Sequence, residues 1–168
     1  MCRLVMLGLI SLCCIHTPAA AAEDVYQVKA AFIFNFTKFV NWPEAMEQRG
    51  GELRLCLLNG NPFGEYIYQL DGRKVRNFYL HVQEVRSVEN LQGCNIVFAG
   101  SDVKSLLDAV TGQPVLTISD RNGFAARGGS IELLSEDNRI RFEVNLQHIK
   151  DSGLEISSKL LQLARQVY

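Results

Sequence analysis

At 168 residues, 48 % of them hydrophobic, the chain carries enough apolar content for a packed core and too much for a disordered polymer. Its 17 Lys and Arg against 18 Asp and Glu leave a formal net charge of −1, which places it outside the strongly basic class of nucleic-acid binders. No repeat or low-complexity tract breaks the composition.

The first residues have the layout of a secretory signal. Arg3 and the amino terminus are positive, and Leu4 to Ile15 is apolar but for Gly8 and Ser11. Pro18 and Ala19–Ala22 then supply small residues, with Ala20 and Ala22 in an A-x-A pattern. The apolar run is about half of the roughly twenty residues that a spanning helix needs. Export with cleavage after residue 22 is therefore expected, leaving residues 23–168 as one α/β domain. Arg3 is the only charged side chain removed, so residues 23–168 hold 16 basic against 18 acidic residues. Of five cysteines, Cys2, Cys13 and Cys14 leave with the signal, while Cys56 and Cys94 stay. In an oxidising compartment the two most simply pair with each other, and two reduced, buried thiols are the alternative. His81 and His148 stand apart in sequence, so no metal-ligand spacing arises and no metal or cofactor is expected.

Residues 24–41 read as a helix with Asp24 as N-cap, stopped by Pro43. Val25, Val28, Phe32, Phe36, Phe39 and Val40 recur at helical spacing, and Tyr26, Ala30, Ile33 and Phe34 fill most of the other side. Gln27, Asn35 and Lys38 form the one polar stripe. A helix apolar on nearly all faces must be buried on nearly all faces. Phe32, Phe36, Phe39 and Trp42 are accordingly a candidate patch for a partner or a second protomer, against the plainer reading of core.

A strand follows at Leu53–Leu58 and a short helix at Phe63–Leu70. Lys74–Val85 is expected to hold one or two strands, and Ser87–Leu91 a short helix. Buried strands are predicted at Ile96–Ala99 and Val115–Ser119, around a helix Val103–Val110 capped by Asp102 and ended by Gly112. Strand and helix in alternation argue a parallel or mixed sheet with helices on its faces. Ser130–Ser135 and Arg139–Val144 flank Glu136-Asp137-Asn138 as an antiparallel hairpin at the sheet edge. Its second strand places Ile140, Phe142 and Val144 inward and Arg139, Arg141 and Glu143 outward. A helix at Asn145–Lys150 and a terminal amphipathic helix at Ser157–Val167 close the chain.

No G-x-S-x-G motif is present, and neither cysteine has a histidine base in view. Arg127-Gly128-Gly129-Ser130 is a candidate ligand contact, a glycine stretch that can nest an anion, although it lacks the ending of a phosphate loop. Asp120-Arg121-Asn122-Gly123 reads as a turn. Ser157 and Ser158 beside Lys159 have the residue types of a Ser/Lys hydrolase, but they sit where a helix N-cap is expected. Taken alone, these residues favour a binding or adaptor domain over an enzyme.

The segment Tyr26–Pro43 resembles the opening of the YfiR-like periplasmic proteins. Similar matches follow in order: Asn61-Pro62-Phe63-Gly64, Gly93–Phe98, Leu116–Asp120, Gly123-Phe124 with Gly128-Gly129, Arg139–Leu146, Gly153–Leu161 and Leu163-Ala164. The resemblance implies a Rossmann-like three-layer sandwich with a mostly parallel sheet, in a non-catalytic protein that tends to dimerise. It implies a periplasmic inhibitor that binds the periplasmic sensor part of an inner-membrane diguanylate cyclase, and so lowers cyclic-di-GMP and biofilm formation. An OmpA-like outer-membrane lipoprotein is the implied sequestering partner. Cys56 and Cys94 match a disulfide pair of the family, whereas a second pair found in some members has no counterpart after Cys94. A periplasmic small-molecule sensor or adaptor, with its ligand near Arg127–Ser130, is the alternative.

Overall fold

A computed structural model describes the backbone of residues 19–168, with side-chain surroundings from residue 25 onward. The expected signal segment lies outside this range except for Ala19–Ala22, which continue the first helix.

Helix α1 (Ala19–Phe39) is followed by β1 (Val40–Asn41), α2 (Glu44–Arg49) and β2 (Gly51–Leu58). Single turns of 3₁₀ helix at Gly64–Tyr66 and Tyr68–Leu70 lead to β3 (Lys74–Val75) and β4 (Phe78–Val85). Another such turn, Val88–Asn90, precedes β5 (Ile96–Ala99), α3 (Val103–Ala109), β6 (Leu116–Ser119), β7 (Ile131–Glu136) and β8 (Arg139–Val144). Helix α4 (Leu146–Asp151), β9 (Glu155–Ile156), α5 (Ser158–Leu161) and β10 (Gln166–Val167) complete the described residues. Eight strands form one sheet in the order β10-β8-β7-β6-β5-β2-β4-β3, and β1 pairs with β9 apart from it. Strands β4, β2, β5, β6 and β7 run parallel, β3 is antiparallel to β4 and β8 to β7, and β10 runs parallel to β8.

Burial on both sheet faces explains the continuous apolar runs of the central strands. On β2, Leu53, Leu55 and Leu57 point to the larger core, which they share with Ile33, Phe36 and Trp42 of the α1 side and with Phe98, Ile118 and Phe142. Cys56 and Leu58 point the other way, into a smaller core closed by Leu106 and Val110 of the α3 segment. The result is a Rossmann-like α/β sandwich with helices on both faces. Cys56 and Cys94 are joined by a disulfide inside the smaller core, with Cα atoms 5.9 Å apart. The Gln83 side-chain amide, from β4, lies 3.2 Å from the Cys56 sulfur.

Several local expectations are corrected. Asp24 lies inside helix α1 and not at its cap, in keeping with the high helix propensity of Ala19–Ala22 before it. Asp102 lies in the left-handed region at φ 51° and makes no side-chain cap to α3, since its carboxylate accepts from Asn59 Nδ2. The expected terminal helix shrinks to the one turn of α5, and the chain then pairs with β8. The Arg165 N–H donates to the Phe142 carbonyl and the Tyr168 N–H to the Val144 carbonyl. Those bonds place β10, not β8, at the sheet edge and cover Glu143, which is buried instead of outward. Glu143 accepts from the Tyr168 hydroxyl at 2.9 Å and lies 3.6 Å from the Arg165 guanidinium.

Two stability predictions follow from this packing. A Cβ on Gly129 would sit 2.2 Å from the ring of fully buried Phe124. Gly129→Ala should therefore cost about 1–3 kcal/mol by overpacking, whereas Gly100→Ala, which meets nothing within 4 Å, should be nearly neutral in urea unfolding. Replacing Cys56 and Cys94 together by Ala opens a closure spanning 38 residues. The expected loss is about 4 kcal/mol by the chain-entropy model, read as a lower urea midpoint.

Candidate functional site

Strand β2 lies between β4 and β5 in the parallel region. The chain passes from β2 to β4 on one side and returns to β5 on the other. The carboxyl ends of β2 and β5 therefore form the switch point at which open α/β sheets hold their ligands. The loop after β2 (Asn59-Gly60-Asn61-Pro62), the loop after β5 (Gly100-Ser101) and Asp120-Arg121 after β6 line a crevice there, with Tyr26 of α1 as its other wall.

The loops are fixed by their own side chains. Asn59 takes φ 59° and Gly60 φ 116°, turning the chain sharply away from the strand. Asn59 Nδ2 donates to Asp102 across the switch point at 2.7 Å. Asn61 folds its loop by accepting from the Phe63 N–H at 2.9 Å and donating to the Gly64 carbonyl at 3.0 Å. Arg121 Nε donates to the Gly100 carbonyl, tying the β6 loop to the β5 loop.

Helix α1 closes this end with a charged contact. Lys29, 5 % exposed, places Nζ 2.7 Å from Asp120 Oδ2, and the Tyr26 hydroxyl donates to the same oxygen at 3.0 Å. Lys29 Nζ also lies 4.4 Å from the Tyr26 ring centroid, and that ring packs edge-on against Phe63 at 5.4 Å. Burial raises the Tyr26 phenol above its ordinary 10.0, the charge and hydrogen bond of Asp120 add to this, and Arg121 opposes it. The titratable groups that meet here hold one another, and no histidine or cysteine stands among the residues lining the crevice.

The residues singled out in the sequence are not brought together. Phe36 and Trp42 are enclosed within the chain, Phe36 edge-on to Phe142 at 5.1 Å and Trp42 to Phe78 at 6.1 Å. The expected aromatic surface patch is thereby reduced to half-buried Phe32 and Phe39. In Arg127–Ser130 the backbone donors are spent internally: Arg127 N–H on Gly123, Gly128 on Ala125, Gly129 on Phe124 and Ser130 on Thr117 Oγ1. Ser130 is fully buried with Thr117, so the stretch fits a loop into the core and leaves no backbone nest for an anion. Ser157 Oγ accepts from the Lys159 N–H at 3.3 Å, the geometry of a helix cap. Lys29 escaped the sequence reading altogether, although a lysine on the apolar side of a helix requires a buried partner and so signals one.

Two predictions test this cluster. Lys29→Ala should lower stability by about 3 kcal/mol, because Asp120 would be left with one donor fewer. The raised Tyr26 phenol contributes stability that is fully present below pH 10 and is lost as pH rises through the folded value. Tyr26→Phe should therefore flatten the alkaline limb of a urea-midpoint profile, and an unchanged limb would contradict the assignment.

Solved structures share the fold at 9 % identity. One is the ABC domain from Streptococcus pneumoniae in complex with L-Trp, at a TM-score of 0.50 over 69 % of this chain. Another is a conserved domain protein from Vibrio cholerae O1 biovar El Tor, at 0.51 over 85 % of this chain. This chain spans only 55 % and 60 % of those two chains, so they speak to architecture alone. Among the described residues no helix is long and apolar enough to cross a membrane. The YfiR/HmsC-like family model matches residues 26–165, from within helix α1 to the residue before β10, and the chain belongs to that family.

Proposed function

We propose that the protein is a periplasmic repressor. It binds the periplasmic sensor part of an inner-membrane diguanylate cyclase, and so lowers cyclic-di-GMP and biofilm formation. The observation that carries this reading is the family match across residues 26–165. The switch-point crevice supports it, because Tyr26, Lys29 and Asp120 hold one another where an enzyme of this architecture would hold substrate. Residues 1–22 supply the route of export, and an OmpA-like outer-membrane lipoprotein is the proposed sequestering partner. A homodimer is the proposed working form, with Phe32 and Phe39 as contacts for a second copy or the cyclase.

Repression of this kind needs differential affinity, not catalysis. Reversing a mostly active cyclase population takes about 5.5 kcal/mol of preference for the inactive state. The test is coexpression with an inner-membrane diguanylate cyclase of its own source organism, in a host lacking both, with cyclic-di-GMP measured by mass spectrometry. The expected result is a fall that disappears when the cyclase's periplasmic part is deleted. An unchanged nucleotide level together with no binding to the purified sensor part would overturn the proposal.

A second reading, a small-molecule sensor or adaptor, draws on the crevice between the Asn59–Pro62 and Gly100–Ser101 loops. Ligand-dependent shifts of the melting temperature, abolished by Asn59→Ala, would favour it.

A further inference from the structure

On the flank of α1 turned toward the 3₁₀ turns, Gln27, Asn35 and Lys38 form a groove with Tyr66, Gln69 and Arg73. Its floor is Phe34, which is 6 % exposed. Two cations converge on that one ring: Lys38 Nζ lies 4.4 Å from the centroid and the Arg73 guanidinium carbon 4.0 Å from it. The two charges are therefore within about 8.4 Å of each other, the sum of those distances. No Asp or Glu lines the groove, and neither cation forms an ion pair among the described residues. Lys38 Nζ has one neutral partner, Asn35 Oδ1, at 3.0 Å.

The ring's negative face draws each cation to it, yet the two repel one another. A carboxylate that meets their free N–H donors offsets that repulsion and gains charge-assisted hydrogen bonds. We propose that this groove binds an acidic segment of a protein partner through its carboxylates. Length argues for a peptide over a single small anion. From Gln27 to Lys38 the helix advances about 16 Å at 1.5 Å per residue, room for about five residues of extended chain. The side-chain amides of Gln27, Asn35 and Gln69 supply donors and acceptors for the backbone of such a segment. The inference stands apart from the cyclase reading, since it concerns the chemistry of the groove and not the identity of the partner.

The test is a titration of the ¹⁵N-labelled protein with an alternating Glu-Ala peptide of that length, followed by amide and side-chain shifts. Shifts centred on Asn35, Lys38, Gln69 and Arg73, weakening with added salt, are the expected result. A Gln-Ala peptide should give none. Arg73→Gln should weaken binding by about tenfold, the factor that 1.4 kcal/mol represents, with an unchanged melting temperature. Lys38→Gln serves the same purpose if Arg73→Gln perturbs the fold. No shifts, shifts centred elsewhere, or equal shifts from the Gln-Ala peptide would overturn the proposal. Inorganic phosphate alone reproducing the pattern at equal concentration would also overturn it, making the groove a small-anion seat.

Discussion

The ion pair between Lys29 and Asp120 fixes the position from which the rest of the structure is organised. Helix α1 is apolar around most of its circumference, and apolar burial alone is non-directional, so it sets neither rotation nor register. A buried ammonium does both, because it is tolerable only where a carboxylate meets it. With Lys29 seated on Asp120 at 2.7 Å, the helix has one orientation across the sheet. Tyr26 then packs on Phe63, which packs on Phe98 at 4.7 Å, while Phe36 meets Phe142. The exit of the helix delivers Val40 to its pairing with Ile156 on β9.

The two faces of the sheet are secured by different means. The α1 face holds a large cluster of aromatic and aliphatic side chains. The α3 face holds fewer, and α3 itself contributes Leu106 as its one buried residue. A covalent bridge sits on that thinner side, where it limits the freedom of the unfolded chain between β2 and β5. Polar groups buried on the same stretch of sheet are satisfied in place: Thr117 and Ser130 bond each other, and Ser119 Oγ donates to the Ala99 carbonyl at 2.6 Å. Buried polar atoms treated this way add specificity to the register without an uncompensated desolvation cost.

The central strands were legible because two-sided burial writes itself as an uninterrupted apolar run, as at Ile96–Ala99. The C-terminal segment was not, for a reason local pattern cannot contain. Leu160, Leu161, Leu163 and Ala164 recur at helical spacing, yet Leu163 is 70 % exposed and the helix stops after one turn. What wins is the open edge of β8, whose carbonyls capture the N–H groups of Arg165 and Tyr168. The same blindness covers the site. Asp120 was visible as a turn residue, but its partner lies 91 positions away, and nothing in the local sequence marks their meeting. Phe36 and Trp42 were equally ambiguous, since a helix apolar on all sides gives no sign of which aromatics its own sheet will cover.

The switch point differs from a Rossmann nucleotide site in its donors and its charge. Rossmann-type sites bind pyrophosphate with free backbone donors at the start of a long helix. Here β2 is followed by Asn61, which takes the Phe63 N–H in its own turn, and then by single turns of 3₁₀ helix with no extended array of aligned dipoles. After β5, the residue that precedes α3 is Asp102, whose carboxylate would repel a phosphate at that position. Asp120 adds a second carboxylate at the end of β6, already held by Lys29 and Tyr26. The end of the sheet that would carry chemistry in a Rossmann enzyme is thus committed to anchoring α1.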